Sequence, residues 1–395
     1  MSYEIRLNRT LEQLKPSGIR RFFDIASEME DVISLSIGEP DFSTPWHIRE
    51  EGIRSLEGGK TWYSPNAGLL KLRESIAGYV SRHNGLEYDP KGEILVTVGG
   101  SEAIDLGLRA LINPGDEVLI PEPSFVCYRP LVEMAGGVPV SIVTRAEDAF
   151  RLTPEALRKA LTPNARLLIL PYPNNPTGGV MRREHLEALC EVIRETGLFV
   201  LSDEIYGELT YGEREHVSVA SLPGMQERTM LISGFSKAFA MTGWRLGYAC
   251  GPRTLMKQVV KLHQYALMCA PTTAQYAAIE AMDNGDEDVA DMRAEYDIRR
   301  RYIVDRLNNM GLPCFEPEGA FYVFPSIAVT GMSSEEFCQA LLMEKHIAVV
   351  PGTAFGDCGE GFVRISYCYS LKHITEAMNR LEEFLKEHTP GGEAR

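Results

Sequence analysis

A lysine that acts as a nucleophile or base near neutral pH has to shed its charge. Apolar surroundings and positive neighbours are what take it away. Lys237 has both in the sequence: Ser233-Gly234-Phe235-Ser236-Lys237-Ala238-Phe239 is apolar and small, and Arg245 follows in Met241-Thr242-Gly243-Trp244-Arg245. The ordinary reading of a lysine is a solvated surface side chain. Asp203 closes the apolar run Phe199-Val200-Leu201-Ser202; a carboxylate carried that deep needs a partner cation, unless it only caps a helix. Arg364 extends the apolar pair Phe362-Val363, a poor place for a surface arginine and a good one for a planar fork that grips a carboxylate. Gly99-Gly100-Ser101-Glu102-Ala103 opens a helix after a strand. Its free N–H groups and positive dipole end would cradle a phosphate, although serine-capped glycine turns are common without one. Pro171-Tyr172-Pro173-Asn174-Asn175-Pro176-Thr177-Gly178 is either a rigid site loop or an ordinary turn.

These residues need a scaffold that brings them to one place. From about residue 90 to 250 the pattern is strand, loop, helix, repeated, with strands expected at Ile94–Val98, Val118–Ile120, Val138–Val143, Leu167–Leu170, Phe199–Ser202, Thr229–Ser233 and Tyr248–Gly251. Runs such as Leu167-Leu168-Ile169-Leu170 are apolar throughout, as in strands buried on both faces of a helix-covered sheet. Helices are expected between them, for example at Ser101–Leu111 and Arg183–Glu195. This is an α/β pattern, and ligands of open α/β sheets gather at the carboxyl ends of the strands. Every candidate above except Arg364 follows such an end. Beyond about residue 285 the texture changes to a charged helix at Asp286–Asn309, strands at Phe321–Pro325, Ala348–Val350 and Val363–Ser366, and helices at Ser334–Lys345 and Ile374–Lys386. The expected division is a large domain, 46–284, and a smaller α+β domain built from 1–45 and 285–395. Its N-terminal arm holds helical stretches at Leu7–Lys15 and Ile19–Met29 and a strand at Val32–Leu35.

Composition removes several classes of function. The chain has 395 residues, 44% of them hydrophobic and 24% charged, which is ordinary globular usage. Its net charge of −15 repels phosphate backbones and anionic lipid, so neither nucleic acid nor a membrane is an expected partner. No apolar run reaches the roughly 18 residues of a membrane span, and Met1–Leu7 lacks an apolar signal core. The eight cysteines are scattered without a Cys-x-x-Cys pair, and the expectation is a cytoplasmic protein with reduced thiols. The histidines show no zinc spacing, so no metal is expected. The first strand lacks the Gly-x-Gly-x-x-Gly turn of a nicotinamide-binding sheet.

Taken together, the motifs resemble a known family. Ser-Gly-Phe-Ser-Lys237 with Met-Thr-Gly-Trp-Arg245 is similar to the cofactor-attachment signature of class I pyridoxal-phosphate-dependent aminotransferases. So are Asn-Asn-Pro-Thr-Gly (174–178), Asp-Glu-Ile-Tyr (203–206), Gly-Glu-Pro-Asp-Phe (38–42), Tyr-Ser-Pro-Asn-Ala-Gly (63–68), Gly-Gly-Ser-Glu-Ala (99–103) and Val-Arg-Ile-Ser-Tyr (363–367), all in family order from about residue 5 to 386. The closest branch is the bacterial one with aspartate, aromatic and A-type enzymes. The resemblance implies fold type I: a large mixed-sheet α/β/α domain, a smaller α+β domain, and a homodimer with its sites at the interface. It also implies ping-pong transfer of an amino group from an L-amino acid to a 2-oxo acid, with 2-oxoglutarate as the expected acceptor.

By motif position, the resemblance makes Lys237 the covalent hook for pyridoxal 5'-phosphate and the base that moves the substrate's Cα proton. Asp203 pairs with the ring nitrogen. Asn175 and Tyr206 meet the ring's 3′ oxygen, and Phe125 stacks on the ring. The phosphate falls to the backbone of Gly100, Ser101, Glu102 and Ala103, with Arg245, one of Ser233 and Ser236, and Tyr63 of the partner subunit. Arg364 takes the substrate carboxylate, with Gly38 and Asn175 beside it. Cis bonds are expected at Asn175–Pro176 and Glu122–Pro123. Specificity would lie with Ser17, Gly18, Ile19, Arg20 and Tyr322, Arg20 being the nearest cation for a distal carboxylate. The same cofactor also serves β-eliminating carbon–sulfur lyases and non-catalytic regulators. The latter would need a DNA-binding appendage, for which the arm is short and the chain acidic.

Overall fold

The computed structural model describes residues 5–14, 29, 31–212 and 216–389. Its strands are β1 (Ile33–Ser34), β2 (Ile94–Thr97), β3 (Glu117–Glu122), β4 (Val138–Val143), β5 (Ala165–Leu170), β6 (Phe199–Asp203), β7 (Thr229–Gly234), β8 (Gly247–Cys250), β9 (Tyr322–Val323), β10 (Ile347–Ala348), β11 (Val350–Pro351) and β12 (Val363–Ser366). Seven of them form one sheet in the order β2-β8-β7-β6-β5-β3-β4. Strand β8 runs antiparallel to β2 and β7, and the other pairings are parallel. The carboxyl ends of β2, β3, β5, β6 and β7 therefore open on one edge. That is why segments scattered between residues 98 and 245 can meet.

The unbroken apolar runs have the cause inferred from sequence. Alternate residues of β5 enter opposite cores. Leu167 and Ile169 pack with Ile104, Leu106 and Val259, from helices Gly100–Leu111 and Arg253–Ala266. Leu168 and Leu170 pack with Leu186, Leu189 and Ile193 of helix Arg183–Thr196.

A further core lies beyond the edge of this sheet. Helix Asp286–Asn309 supplies Tyr296, Ile303 and Leu307, helix Ser334–Lys345 supplies Phe337 and Leu341, and helix Leu371–His388 supplies Ile374, Met378 and Phe384. They cover a small antiparallel sheet, β11-β12-β9. The amino-terminal segment joins here, with Leu35 in the core and β1 parallel to β10. Tyr206, Leu209 and Tyr211, from the loop after β6, are buried in this same core. The seam between the large sheet and the small one is thus built from both.

Some elements are shorter than their apolar runs. The strand expected at Ala348–Val350 divides at Val349, because β10 pairs with β1 while β11 pairs with β12. The Phe321–Pro325 and Val32–Leu35 runs keep only two paired residues each, as β9 and β1. In the arm, helix Arg9–Gln13 is capped by Asn8, whose Oδ1 accepts the Thr10 N–H at 2.9 Å. The stretch expected at Ile19–Met29 lies outside the described residues apart from Met29, as do Lys15, Ser17, Gly18, Ile19 and Arg20. Glu122–Pro123, Tyr172–Pro173 and Asn175–Pro176 are cis; the second was not among the sequence expectations. All eight cysteines are free, and no helix among the described residues is long and apolar enough to cross a membrane.

Candidate active site

A cavity of about 640 Å³ opens at the carboxyl edge of the large sheet and is closed on its far side by β9 and β12 of the small one. Gly38, Gly100, Ser101, Phe125, Asn175, Asp203, Tyr206, Ser236, Lys237, Arg245 and Arg364 all line it. Of the described residues assigned to the cofactor or substrate from sequence, Glu102, Ala103, Ser233 and Tyr63 do not line it.

Lys237 follows β7 by three residues and donates from Nζ to the Gly38 carbonyl at 2.6 Å. Phe321 lies beneath it, its ring centre 5.8 Å from Nζ. Burial pulls the Lys237 pKa down from 10.5 to about 8, with Arg364 and Arg245 adding to the shift and Cys368 and Glu39 opposing it. The lower pKa raises the neutral fraction near neutral pH, which a nucleophile and proton carrier requires.

Asp203, the last residue of β6, is buried at the cavity floor. Its Oδ2 accepts from the Tyr128 hydroxyl at 2.7 Å and its Oδ1 from the Ile205 N–H at 3.2 Å. Burial pushes its pKa up, while the two donors pull it down. No cation among the described residues forms an ion pair with it. Tyr128 has no role in the sequence expectations, and nothing in Pro123-Ser124-Phe125-Val126-Cys127-Tyr128 signals its partner. It also packs edge-on against Phe125, with ring centres 5.9 Å apart.

Arg364, on β12, is buried and grips the opposite wall. Its Nη1 donates to Asn175 Oδ1 at 2.8 Å and its Nη2 to the Ser36 carbonyl at 2.5 Å. Its guanidinium lies over the Tyr322 and Phe355 rings, 4.6 and 4.8 Å from their centres. The Arg364 Nε is buried without a hydrogen-bond partner among the described residues. Tyr206 and Tyr322 share a hydroxyl–hydroxyl hydrogen bond of 2.8 Å. Gly38 must be glycine here, because a Cβ would stand 1.8 Å from the Tyr322 hydroxyl oxygen.

At the other end of the cavity, Gly99 adopts φ +81°. A Cβ on it would stand 2.7 Å from Arg245 Nη2, so the backbone turn and the guanidinium are in close approach. Gly100 and Ser101 begin helix Gly100–Leu111 and face the cavity with Ser236. Ser233 points elsewhere, its hydroxyl donating to the Glu204 carbonyl at 3.3 Å. Ser236 lines the cavity and Ser233 does not, which favours Ser236 of the two serines. Ala103 is buried in the core beneath the helix, and the Glu102 side chain turns back, away from the cavity, to Val98 and His263. Tyr63 is 78% exposed.

Residues 30–381 match the family described as aminotransferase class I and II. The chain is 48% identical to the aspartate aminotransferase of Pyrococcus abyssi, over 95% of this chain and 97% of that one. It is 47% identical to aromatic-amino-acid aminotransferase 2 of Thermococcus litoralis, over 96% and 98%. Among solved structures, the aromatic aminotransferase of Pyrococcus horikoshii superposes with a TM-score of 0.89 at 48% identity, covering 93% of this chain and 99% of that one. The chain belongs to the class I and II aminotransferases and has their fold type I architecture. It is an enzyme that moves an amino group from an amino acid to a 2-oxo acid, with pyridoxal phosphate as cofactor.

The residues present fit that cofactor. Asp203 is a buried carboxylate that lacks a cation, as a protonated ring nitrogen requires. Lys237 is a half-buried amine of lowered pKa. The Gly99–Ser101 turn with Arg245 is a ready anion cradle. The unpartnered Arg364 Nε leaves a donor for a carboxylate.

Proposed function

We propose that this aminotransferase takes a broad range of L-amino acids with neutral or aromatic side chains, N-acylated diamino acids included, and returns the amino group to 2-oxoglutarate. The carrying observation is the charge of the cavity wall. Among the described lining residues the cations are Lys237, Arg245 and Arg364, and each has a task that the substrate side chain does not share. A donor with a distal carboxylate needs a further cation; Arg20, outside the described residues, is the nearest in sequence. The lining also includes Ile37, Pro173, Ile205 and Tyr322, which suit apolar and planar groups.

In this reading Lys237 holds the cofactor covalently, and its freed amine then carries the proton released from the substrate Cα. The bound cofactor supplies an electron sink for the pair left at that carbon. Asp203, held by Tyr128 and Ile205, keeps the ring nitrogen protonated. Phe125 covers the ring, and Asn175 and Tyr206 meet its hydroxyl oxygen. Arg364 grips the substrate carboxylate, with the Gly38 backbone beside it, so that the Cα–H bond is presented to Lys237. Gly100, Ser101, Ser236 and Arg245 hold the phosphate.

The test is a donor panel with 2-oxoglutarate, compared as kcat/KM. Aromatic and neutral donors are expected to match or exceed aspartate. If aspartate leads every other donor by more than about 100-fold, roughly 2.7 kcal/mol of transition-state preference, the specificity reading is wrong.

The functional unit in this reading is a cytoplasmic homodimer, with the phosphate also reached by Tyr63 of the partner subunit. Support comes from exposure: Trp62, Tyr63 and Tyr265 are large aromatic side chains 64%, 78% and 85% exposed. The division into 46–284 and 1–45 with 285–395 is supported by the separate core that helix Asp286–Asn309 enters. Mixing inactive Tyr63→Ala and Lys237→Ala subunits should restore activity to mixed dimers, which carry one intact site. Verified mixed dimers without activity would remove the shared site.

A further inference from the structure

Behind the Gly99–Ser101 turn lies a buried polar pair that no step of the reaction uses. His263, on helix Arg253–Ala266, has no exposed side-chain surface, and the Glu102 side chain is 11% exposed. His263 Nδ1 stands 2.6 Å from Glu102 Oε1. The other carboxylate oxygen accepts the Val98 N–H at 2.5 Å. A carboxylate oxygen can only accept, so Nδ1 carries the proton. His263 Nε2 is buried and has no hydrogen-bond partner among the described residues. Burying an imidazole with one nitrogen unpaired costs stability, so packing does not account for it.

The position of Glu102 does. It stands in the first turn of helix Gly100–Leu111, where the leading N–H groups lack acceptors within the helix. A glutamate there is drawn to those groups and to the positive end of the dipole. Here both oxygens are committed elsewhere, so the carboxylate is turned back along the chain. The turn it grips is held a second time by Thr97, whose Oγ1 donates to the Gly99 carbonyl at 2.9 Å.

We propose that Glu102 and His263 are positioning residues for the phosphate cradle: His263 holds the Glu102 carboxylate on Val98, which sets the Thr97–Gly99 turn and keeps the helix N-terminus open to the cofactor's phosphate. The inference rests on the assignment of Gly100, Ser101 and Arg245 to that phosphate. It gives the Glu102 side chain a task beside the backbone role expected of that residue.

The test measures binding to the cofactor-free enzyme of pyridoxal phosphate, of inorganic phosphate, and of pyridoxal, which lacks the phosphate. Glu102→Ala and His263→Gln are expected to weaken the two phosphate-bearing ligands about tenfold and to leave pyridoxal unchanged. Glu102→Gln, which can still accept from Val98 and donate to Nδ1 once the imidazole proton moves to Nε2, should recover most of the loss. Variants with a native melting temperature that bind both phosphate ligands within about twofold of the parent overturn the proposal. An equal loss for pyridoxal also overturns it, since that is the mark of a general structural defect. If Glu102→Ala fails to fold, Glu102→Gln and His263→Gln give the same comparison: a phosphate-selective loss in His263→Gln supports the proposal, and none overturns it. Arg245→Gln separates the two layers. If it binds phosphate normally, the cradle assignment falls and the proposal with it. If it alone loses phosphate, the cradle stands and the positioning role falls.

Discussion

Replacing Lys237 with alanine should reduce turnover by about 10⁴-fold or more, because in the proposed function one side chain serves as both attachment point and proton carrier, and a positioned base by itself contributes about 10²–10⁴-fold. The cofactor should still enter Lys237→Ala. Asp203, Phe125, Arg245 and the Gly99–Ser101 turn are untouched, and removing a half-buried amine with a depressed pKa takes away a group that was costly to bury in its charged form. The measurement is kcat for a good donor, with cofactor content read by absorbance. Normal turnover in Lys237→Ala would falsify the assignment of this cavity as the active site.

The second large effect is expected at Asp203. Its carboxylate is buried, is oriented by Tyr128 and Ile205, and forms no ion pair among the described residues. It matters most when negative charge spreads into the cofactor ring, so Asp203→Ala should lower kcat by about 10²–10³-fold, the size of losing one preorganised electrostatic partner. Cofactor affinity should fall much less, since Lys237 and the phosphate cradle remain. A kcat within about threefold of the parent enzyme excludes the ring-nitrogen role.

Much of this site is legible in the chain because its charged members interrupt apolar runs. Lys237, Asp203 and Arg364 each stand at or near a buried strand where solvation cannot explain them, and the glycines at 99 and 100 mark a helix entry. What sequence does not disclose is the set of side-chain pairings that hold those groups. Tyr128 meets Asp203 across 75 residues, Tyr322 meets Tyr206 across 116, and His263 meets Glu102 across 161. Such contacts are set by the strand order β2-β8-β7-β6-β5-β3-β4 and by the packing of helices and of the small sheet β11-β12-β9 against it, which no local pattern encodes. Facing direction is similarly hidden. Ser233 and Ser236 look alike on the chain, yet Ser233 turns to the Glu204 carbonyl while Ser236 faces the cavity. The Ala348–Val350 run reads as one strand and divides because its halves pair with different sheets.

The central claim is that Lys237, at the end of β7, carries the cofactor. Borohydride reduction of the holoenzyme makes the link between lysine and cofactor permanent, and peptide mass mapping then locates it. The account predicts one modified residue, Lys237, in the peptide containing Ser233-Gly234-Phe235-Ser236. Modification of a different lysine, or none in an enzyme shown to be active, would contradict it.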